Sequence, residues 1–441
     1  MRTTERGVLV GVVVTVAAVL RAGFVSVARV HVPLRADAGE YAQYAKNLCM
    51  HGTYSVSAAV PPVPDSFRSP GYPLFLALCR WLGGDGNWQL LATALQVLLG
   101  TLTVLLVYRL ARTVLEFWPA LVATALCALS PHLVVGCEYL LTECVTTFVV
   151  VAALWLVSGA SSRARLVAAA AVCGFAVLCN EVLVFLPLAI AWPMLRTGRG
   201  RALLFTLAAF APFAIWCVRN RVQPLERTGS ERAIASISHG SYPGMVFRDP
   251  RCFGYPYLED PEQPAFGASW ESLREVLGRR VAADPWRYFV WYGCEKPVWL
   301  WGWRLVQGDD VLVYQVLDSP YEQQAMMRAT HTVMRWLHVP VMVLAALGAL
   351  GAALLHRRHR SWQLQVLGLV AILGTLAYLP VIPDPRYMHA FRPALFVLAA
   401  AAGAAFVARW RARADRPPPS PTTAPRSARD CHPLELADTS V

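Results

Sequence analysis

Charge is scarce in this chain. Only 15% of its 441 residues are Asp, Glu, Lys or Arg, against roughly 25% in an average soluble domain. There is no CxxC pair and no Cys/His ligand spacing, which argues against a zinc site. No glycine-rich nucleotide loop is evident, and no internal repeat is strong enough to mark a solenoid. What fills the chain instead is apolar: 56% of residues are hydrophobic, and the mean hydropathy is +0.43. The length alone would suit about three soluble domains. However, the apolar residues cluster in runs such as Leu90–Val107, Val145–Val157, Val339–Leu355 and Pro393–Val407. With their flanks these meet the roughly 20 residues that a transmembrane helix needs. The expected fold is an all-α polytopic membrane protein of about ten transmembrane helices with two sizeable extracytoplasmic loops, and a soluble enzyme is excluded.

The net charge of +12 does not point to nucleic acid, because the arginines sit in short clusters between apolar runs. The spans are expected near 7–29, 89–108, 118–135, 139–158, 165–180, 182–195, 202–218, 333–355, 362–382 and 390–408. The pair 165–180 and 182–195 is short enough to be half-helices. Every second connection is basic: Arg2/Arg6, Arg109/Arg112, Arg163/Arg165, Arg196/Arg199/Arg201, Arg357/Arg358/Arg360 and Arg409/Arg411/Arg413. The positive-inside rule puts all of them in the cytoplasm, and an even number of spans then places both termini there. The N-terminus resembles a signal peptide but is read as a retained first helix. The domain boundaries follow: a first helix over 1–30, an outer loop over 31–88, helices over 89–218, a second outer loop over 219–332, C-terminal helices over 333–409 and a disordered cytoplasmic tail over 410–441. Most cysteines fall in apolar segments as small hydrophobes; whether Cys252 and Cys294 pair is left open. The aromatic stretch Asp284–Trp303 suits a helix lying in the headgroup interface.

Ionisable residues near a bilayer are costly and tend to be functional, and here they collect at the outer ends of spans. Asp37, Glu40, Tyr41 and Tyr44 follow the first span, and Asp37, Tyr41 and Tyr44 can share one helical face. A carboxylate in an aromatic wall can serve as a general base; the plainer reading is an interfacial helix with solvated acids. Phe67–Leu78 closes the loop with a stiff Pro-Gly-Tyr-Pro turn, and Arg68 before it either holds an anion or snorkels to headgroups. Glu143 lies slightly inside an apolar run and needs a partner or a substrate hydroxyl, whereas Glu138 is expected to be solvated. Arg21, Arg219, Arg221, Lys296 and Arg386 place positive charge on the outer side, against the orientation rule. A phosphate at the membrane surface would explain them together, as would pairing with loop acids one by one.

The run D-x-x-E-Y-x-x-x-A-x-N-L-x-x-x-G-x-Y from Asp37 to Tyr54, followed by R-S-P-G-Y-P-L-F-L, resembles the GT-C superfamily of membrane glycosyltransferases. Within it, the protein O-mannosyltransferases and lipid A aminoarabinose transferases are the nearest branch. Ser130–Glu143, Trp216–Asn220, Asp284–Lys296 and Pro385–Pro393 extend the resemblance over nearly the whole chain. It implies transfer of a hexosyl or pentosyl group from a polyprenyl-phosphate carrier to an extracytoplasmic acceptor (protein, lipid or glycan), with inversion. Asp37 would be the catalytic base and Glu143 the second acidic residue. Lys296 and Arg386 would lie near the carrier phosphate, with Arg68 or Arg219 assisting and Glu40, Tyr41 and Tyr387 at the substrate. Two departures stand out: Ala38 replaces a second acid beside Asp37, and Asn180-Glu181 stands where relatives often carry an Arg-Pro-like pair. A divalent cation is left open, since paired acids can hold one. The rival reading is a secondary transporter or lipid flippase, which would place polar groups near the midplane.

Overall fold

Where apolar residues run on without interruption the chain is helical, because a backbone in hydrocarbon must satisfy its hydrogen bonds within its own segment. In the computed structural model, residues 2–30, 34–159, 162–196, 198–245, 255–303, 316–354 and 362–414 are described. Five helices are long and apolar enough to cross a membrane: Thr3–Val27, Gly71–Ala111, Arg199–Val222, Ala325–Ala353 and the segment Pro385–Ala414. Shorter apolar helices cover Phe117–Leu129, Glu143–Ser158, Glu181–Met194 and Trp362–Tyr378, and Arg163–Cys179 forms another. Among the described residues the only strands are Arg29–Val30 and Val316–Asp318, which pair antiparallel.

The helix after the first outer loop starts earlier than the apolar run suggests. It begins at Gly71, inside the segment read as loop up to Trp88, and runs for 41 residues to Ala111 with a kink at Gly84. Gly84 takes φ 63° and ψ −178°, a conformation that a side chain would strain. Pro73 is accommodated in the first turn of this helix, where the prolyl nitrogen has no intrahelical partner to lose.

Small residues bring the helices close, as expected where van der Waals packing rather than water drives association. A Cβ added at Gly174 would lie 2.5 Å from the Ala209 carbonyl oxygen, so helices Arg163–Cys179 and Arg199–Val222 approach backbone to backbone there. The two short segments 165–180 and 182–195 meet at Asn180, whose side-chain oxygen accepts from the Val182 amide at 3.1 Å. A 3-10 turn, Glu181–Phe185, then leads into helix Leu186–Met194.

Arg21 is not available to an outer-face anion. It is fully buried, and its guanidinium donates to the carbonyls of Ala17 (3.1 Å), Ala128 (3.2 Å) and Cys127 (3.3 Å). Two of these are orphan acceptors at the end of helix Phe117–Leu129, where a cation is favourable.

The aromatic stretch forms a continuous helical segment, Pro285–Val290, a π turn over Trp291–Glu295, and Lys296–Leu300. Trp286, Phe289 and Val298 are exposed on it while Trp291 is buried, its indole donating to the Gly240 carbonyl at 3.0 Å. The chain divides into Met1–Gly403 and Ala404–Val441; the described part of the second is the end of helix Arg392–Ala414. Cys252, Arg357, Arg358, Arg360 and nearly all of the tail lie outside the described residues.

Candidate active site

Helix Ala36–His51 sets Asp37 in its first turn, where the N-terminal end of the helix dipole favours a carboxylate. The residue before it, Ala36, has φ 46°, a left-handed conformation uncommon outside glycine, so the chain turns sharply into the helix at the acid. Asp37, Tyr41 and Tyr44 fall on one face as their spacing predicts. Tyr41 and Tyr44 are buried, and Tyr41 meets Tyr72 edge-on at 5.2 Å.

Two arginines close on Asp37 from distant parts of the chain. Arg68 Nη2 donates to one carboxylate oxygen at 2.7 Å, and Arg386 Nη2 donates to the other at 2.7 Å. Burial alone would raise the Asp37 pKa. The charges and hydrogen bonds of Arg386 and Arg68 outweigh it and hold the carboxyl well below the usual carboxylate range. Arg68 also donates through Nε to Glu40 at 2.6 Å, with its guanidinium carbon 5.6 Å from the Tyr41 ring centre. Glu40 reaches Arg227 at 3.7 Å on its other oxygen.

Arg386 is the hub. Its backbone amide is capped by the Asp384 side chain at 3.0 Å, at the start of the 3-10 segment Pro385–Phe391. Its side chain contacts Asp37, Asp384 (3.4 Å) and Glu143 (3.8 Å), and rests on the Tyr387 ring at 5.0 Å. Tyr387 stacks on Tyr378 at 5.2 Å, and Tyr378 accepts from Asn180 at 2.6 Å. Glu143 is buried, and its Oε2 has no hydrogen-bond partner among the described residues. A buried carboxylate oxygen without a donor is costly, so this atom is set for an incoming proton or hydroxyl.

The structure therefore joins Asp37, Glu40, Tyr41, Arg68, Glu143, Arg386 and Tyr387 in one cluster. Arg219 and Lys296 are engaged elsewhere. Arg219 donates to the backbone oxygens of Asp65 (2.7 Å) and Tyr54 (3.3 Å) and stacks on Trp216 at 4.8 Å, so it pins the first outer loop. The Lys296 amino group donates to the carbonyls of Leu379 (2.5 Å) and Val381 (2.9 Å) beneath the Tyr292 ring. Burial draws its pKa down to about 6. Glu138, expected in solvent, is partly buried, and burial pushes its carboxyl up to about 8, with Cys137 adding to it.

Arg232 was not foreseen. It bridges to Glu181 and lies within electrostatic reach of Tyr41, Arg68 and Asp37. Its helix, Gly229–Gly240, carries a Thr228/Glu231 capping box, the sequence signal that could have found it. Among the described residues, no group of three or more His, Cys, Asp or Glu is arranged to hold a metal ion. Both Asp37 oxygens already accept from guanidinium groups, a donor set that does not fit a divalent cation.

Beside Arg68 opens a cavity of about 360 Å³. Ser66, Ser69 and Asn220 stand among its polar lining, and Val177, Leu178 and Phe213 among its apolar lining.

Residues 67–216 match the family model described as dolichyl-phosphate-mannose-protein mannosyltransferase. The sequence finds no match among curated proteins. Among solved structures, the chain is similar to the oligosaccharyltransferase of Archaeoglobus fulgidus tethered with an acceptor peptide containing the NVT sequon. Identity is 15%, with a TM-score of 0.52, over 93% of this chain and 51% of that one. The archaeal oligosaccharyltransferase AglB from the same organism, in complex with an inhibitory peptide and a dolichol-phosphate, gives 14% identity and a TM-score of 0.50 over 93% and 51%. ArnT from Cupriavidus metallidurans bound to undecaprenyl phosphate gives 16% identity over 94% and 80%, at a TM-score of 0.39, a likeness too loose to argue from. The chain spans about half the length of the oligosaccharyltransferases it matches. The chain thus shares the fold of those oligosaccharyltransferases, and its residues 67–216, from the end of the first loop through the central helices, match the mannosyltransferase model.

Proposed function

We propose that this chain transfers a glycosyl group from a polyprenyl-phosphate carrier to an acceptor hydroxyl or amine at the extracytoplasmic face of a membrane, with inversion at the anomeric carbon. The observation that carries the reading is the Asp37 carboxylate held between Arg68 and Arg386, with Glu143 across from Arg386. Such a transfer needs a base for the acceptor proton and cations for the departing phosphate, and this cluster contains both.

In the proposed step the acceptor O–H or N–H bond breaks and its proton passes to Asp37. A new bond forms from the acceptor to the anomeric carbon. The bond from that carbon to the phosphate oxygen breaks, and the phosphate leaves with the electron pair, neutralised by Arg68 and Arg386. The sugar passes through an oxocarbenium-like state, and attack opposite the phosphate inverts the centre.

The two ion pairs on Asp37 bear on timing. A carboxylate whose pKa is strongly depressed is a weak proton acceptor. A phosphate that draws a guanidinium to itself would lift that restraint, so that Asp37 becomes basic only when donor is present. The cavity beside Arg68, polar near the arginine and lined also by Val177, Leu178 and Phe213, supports a carrier whose isoprenoid end enters from the lipid. The dolichol-phosphate in the archaeal relative accords with this class of donor.

The topology belongs to the same proposal. The ten apolar segments would be ten crossings, with both termini and the arginine clusters in the cytoplasm and the Asp37 cluster outside. The test is transfer of labelled sugar from synthetic polyprenyl-phosphate donors by the purified chain, beside Asp37→Asn. Transfer lost in the variant supports the assignment. Equal transfer in both moves the base elsewhere. Consumption of no donor, together with uptake or lipid translocation in proteoliposomes, would establish the transporter instead.

A further inference from the structure

At the opposite end of the helices from the Asp37 cluster lies a groove of about 610 Å³, within the range of about 300–1,000 Å³ typical of ligand clefts. Helices Gly71–Ala111, Glu143–Ser158 and Arg163–Cys179 form its walls. The lining is almost wholly apolar, including Leu105, Phe148, Val172 and Phe175, and among the described residues no acid is part of it. The exception is Arg109, exposed at one end.

That end is built from cations held in place. The guanidinium carbon of Arg109 lies 5.6 Å from the Trp155 ring centre, and that of Arg165 lies 4.9 Å from it. Arg165 is fixed further by donating to the carbonyls of Leu156 (3.0 Å) and Trp155 (3.4 Å). It packs so closely on Gly159 that a Cβ there would fall 2.6 Å from its Nη2. Arg165 uses Nε and Nη2 on the Leu156 and Trp155 carbonyls, which leaves its Nη1 to face a phosphate beside the guanidinium of Arg109. Arginines that merely snorkel are not anchored in this way.

We propose that this groove binds an anionic phospholipid, its phosphate on Arg109 and Arg165 and an acyl chain along Leu105, Phe148, Val172 and Phe175. Arg109 in the lining and Arg165 beside the same tryptophan, with no acid among the described lining residues, give the charge complementarity, and the apolar walls select a lipid over a free phosphate. The site stands whether or not the glycosyl transfer proposed above does. With that topology, it faces the cytoplasmic leaflet, whose negative surface draws basic segments.

The test is lipid retention by the full chain. Nanodiscs holding equal dioleoyl phosphatidylglycerol and dioleoyl phosphatidylcholine are dissolved in mild detergent, and protein-bound lipid is counted by mass spectrometry. Wild type is expected to retain the glycerol lipid by roughly tenfold over the choline lipid. Arg109→Gln should lower that preference about fivefold, the weight of one basic residue at a charged lipid surface. Arg163→Gln, exposed at the same end but outside the groove, should leave it unchanged. Ala152→Phe, which fills the groove, should lower retention of both lipids, with the unfolding midpoint reporting that the variant is folded. Equal retention by wild type, an Arg163→Gln effect as large as that of Arg109→Gln, or full retention in folded Ala152→Phe would each overturn the site.

Discussion

The two ends of this helical bundle use arginine in opposite ways. At the Asp37 end, guanidiniums meet carboxylates from distant parts of the chain: Arg68 joins Asp37 and Glu40, and Arg386 joins Asp37 across a separation of 349 residues. At the other end, Arg165 donates to carbonyls nine and ten residues away, and Arg109 and Arg165 lie on one tryptophan. Desolvated, mutually paired charges are expensive to assemble and are seldom kept for stability alone. Exposed cations on short connections cost little and orient the chain in the membrane. The first arrangement is the one proposed for chemistry, and the second the one proposed to orient the chain and hold a lipid.

The comparison breaks hardest at Asp37. Asp37→Asn keeps the shape while removing the proton acceptor, and transfer should fall by about 10²–10⁴, the usual contribution of a general base. Labelled-sugar turnover at matched fold, judged by the unfolding midpoint, is the measurement. A variant with near-normal turnover would relegate Asp37 to an ion-pair partner, with Glu40 and Glu143 next to be tested.

Arg386 comes second. Arg386→Gln takes away the cation shared by Asp37, Glu143 and Asp384, and should cost about 10²–10³ in kcat, as loss of one preorganised charge-stabilising group does. It should also raise the Asp37 pKa, moving the acid limb of kcat/KM to higher pH. Arg386→Lys keeps the charge but not the fork geometry, and is expected to restore the position of the limb more fully than the rate. If the limb stays put in Arg386→Gln, Asp37 is not the group that titrates.

Much of this cluster was legible beforehand, for a physical reason. Lipid tolerates few charges, so Asp37, Arg68, Glu143 and Arg386 stood out against apolar surroundings, and the structure brings these four together. The helices were legible for the same reason, since the described part of each proposed crossing is helical over most of its length, although 118–135 is interrupted at Ser130 and 139–158 becomes helical only from Glu143. What could not be read was set by contacts along no single segment. Lys296 looked like an outer cation, but only the fold shows the Leu379 and Val381 carbonyls that receive it. Arg21 likewise turns inward onto a helix end. Arg232 sits in a short helix whose apolar face is only Ile234 and Ile237, too little to stand out in the sequence, and the helix that starts at Gly71 lies inside the segment taken as loop.

A smaller effect concerns acid stability. The folded pKa of Asp37 lies below its unfolded value of about 3.9, so its ion pairs contribute fully above about pH 4 and are lost as the pH falls through the depressed value. Wild type should therefore lose stability on acidification below about pH 4 more steeply than Asp37→Asn. Unfolding midpoints in detergent across that range make the comparison, and parallel curves would mean that the carboxylate has no such linkage.

The smallest effect sharpens the other side of the comparison. Helices Arg163–Cys179 and Arg199–Val222 each begin with Arg-x-Arg, placing cations against the positive end of the helix dipole, where they are unfavourable by about 0.3–1 kcal/mol. Nothing in helix formation recommends them there, whereas membrane orientation does. Arg199→Gln should accordingly leave transfer unchanged and shift stability by no more than about 0.5 kcal/mol, toward greater stability if at all. Replacing Asp37, Arg68 or Arg386 removes a pairing that took distant segments to build; replacing Arg199 removes one vote among many for orientation. A large loss of stability in Arg199→Gln would show that this arginine, too, holds a structural partner, and the contrast between the two ends would narrow to the acids alone.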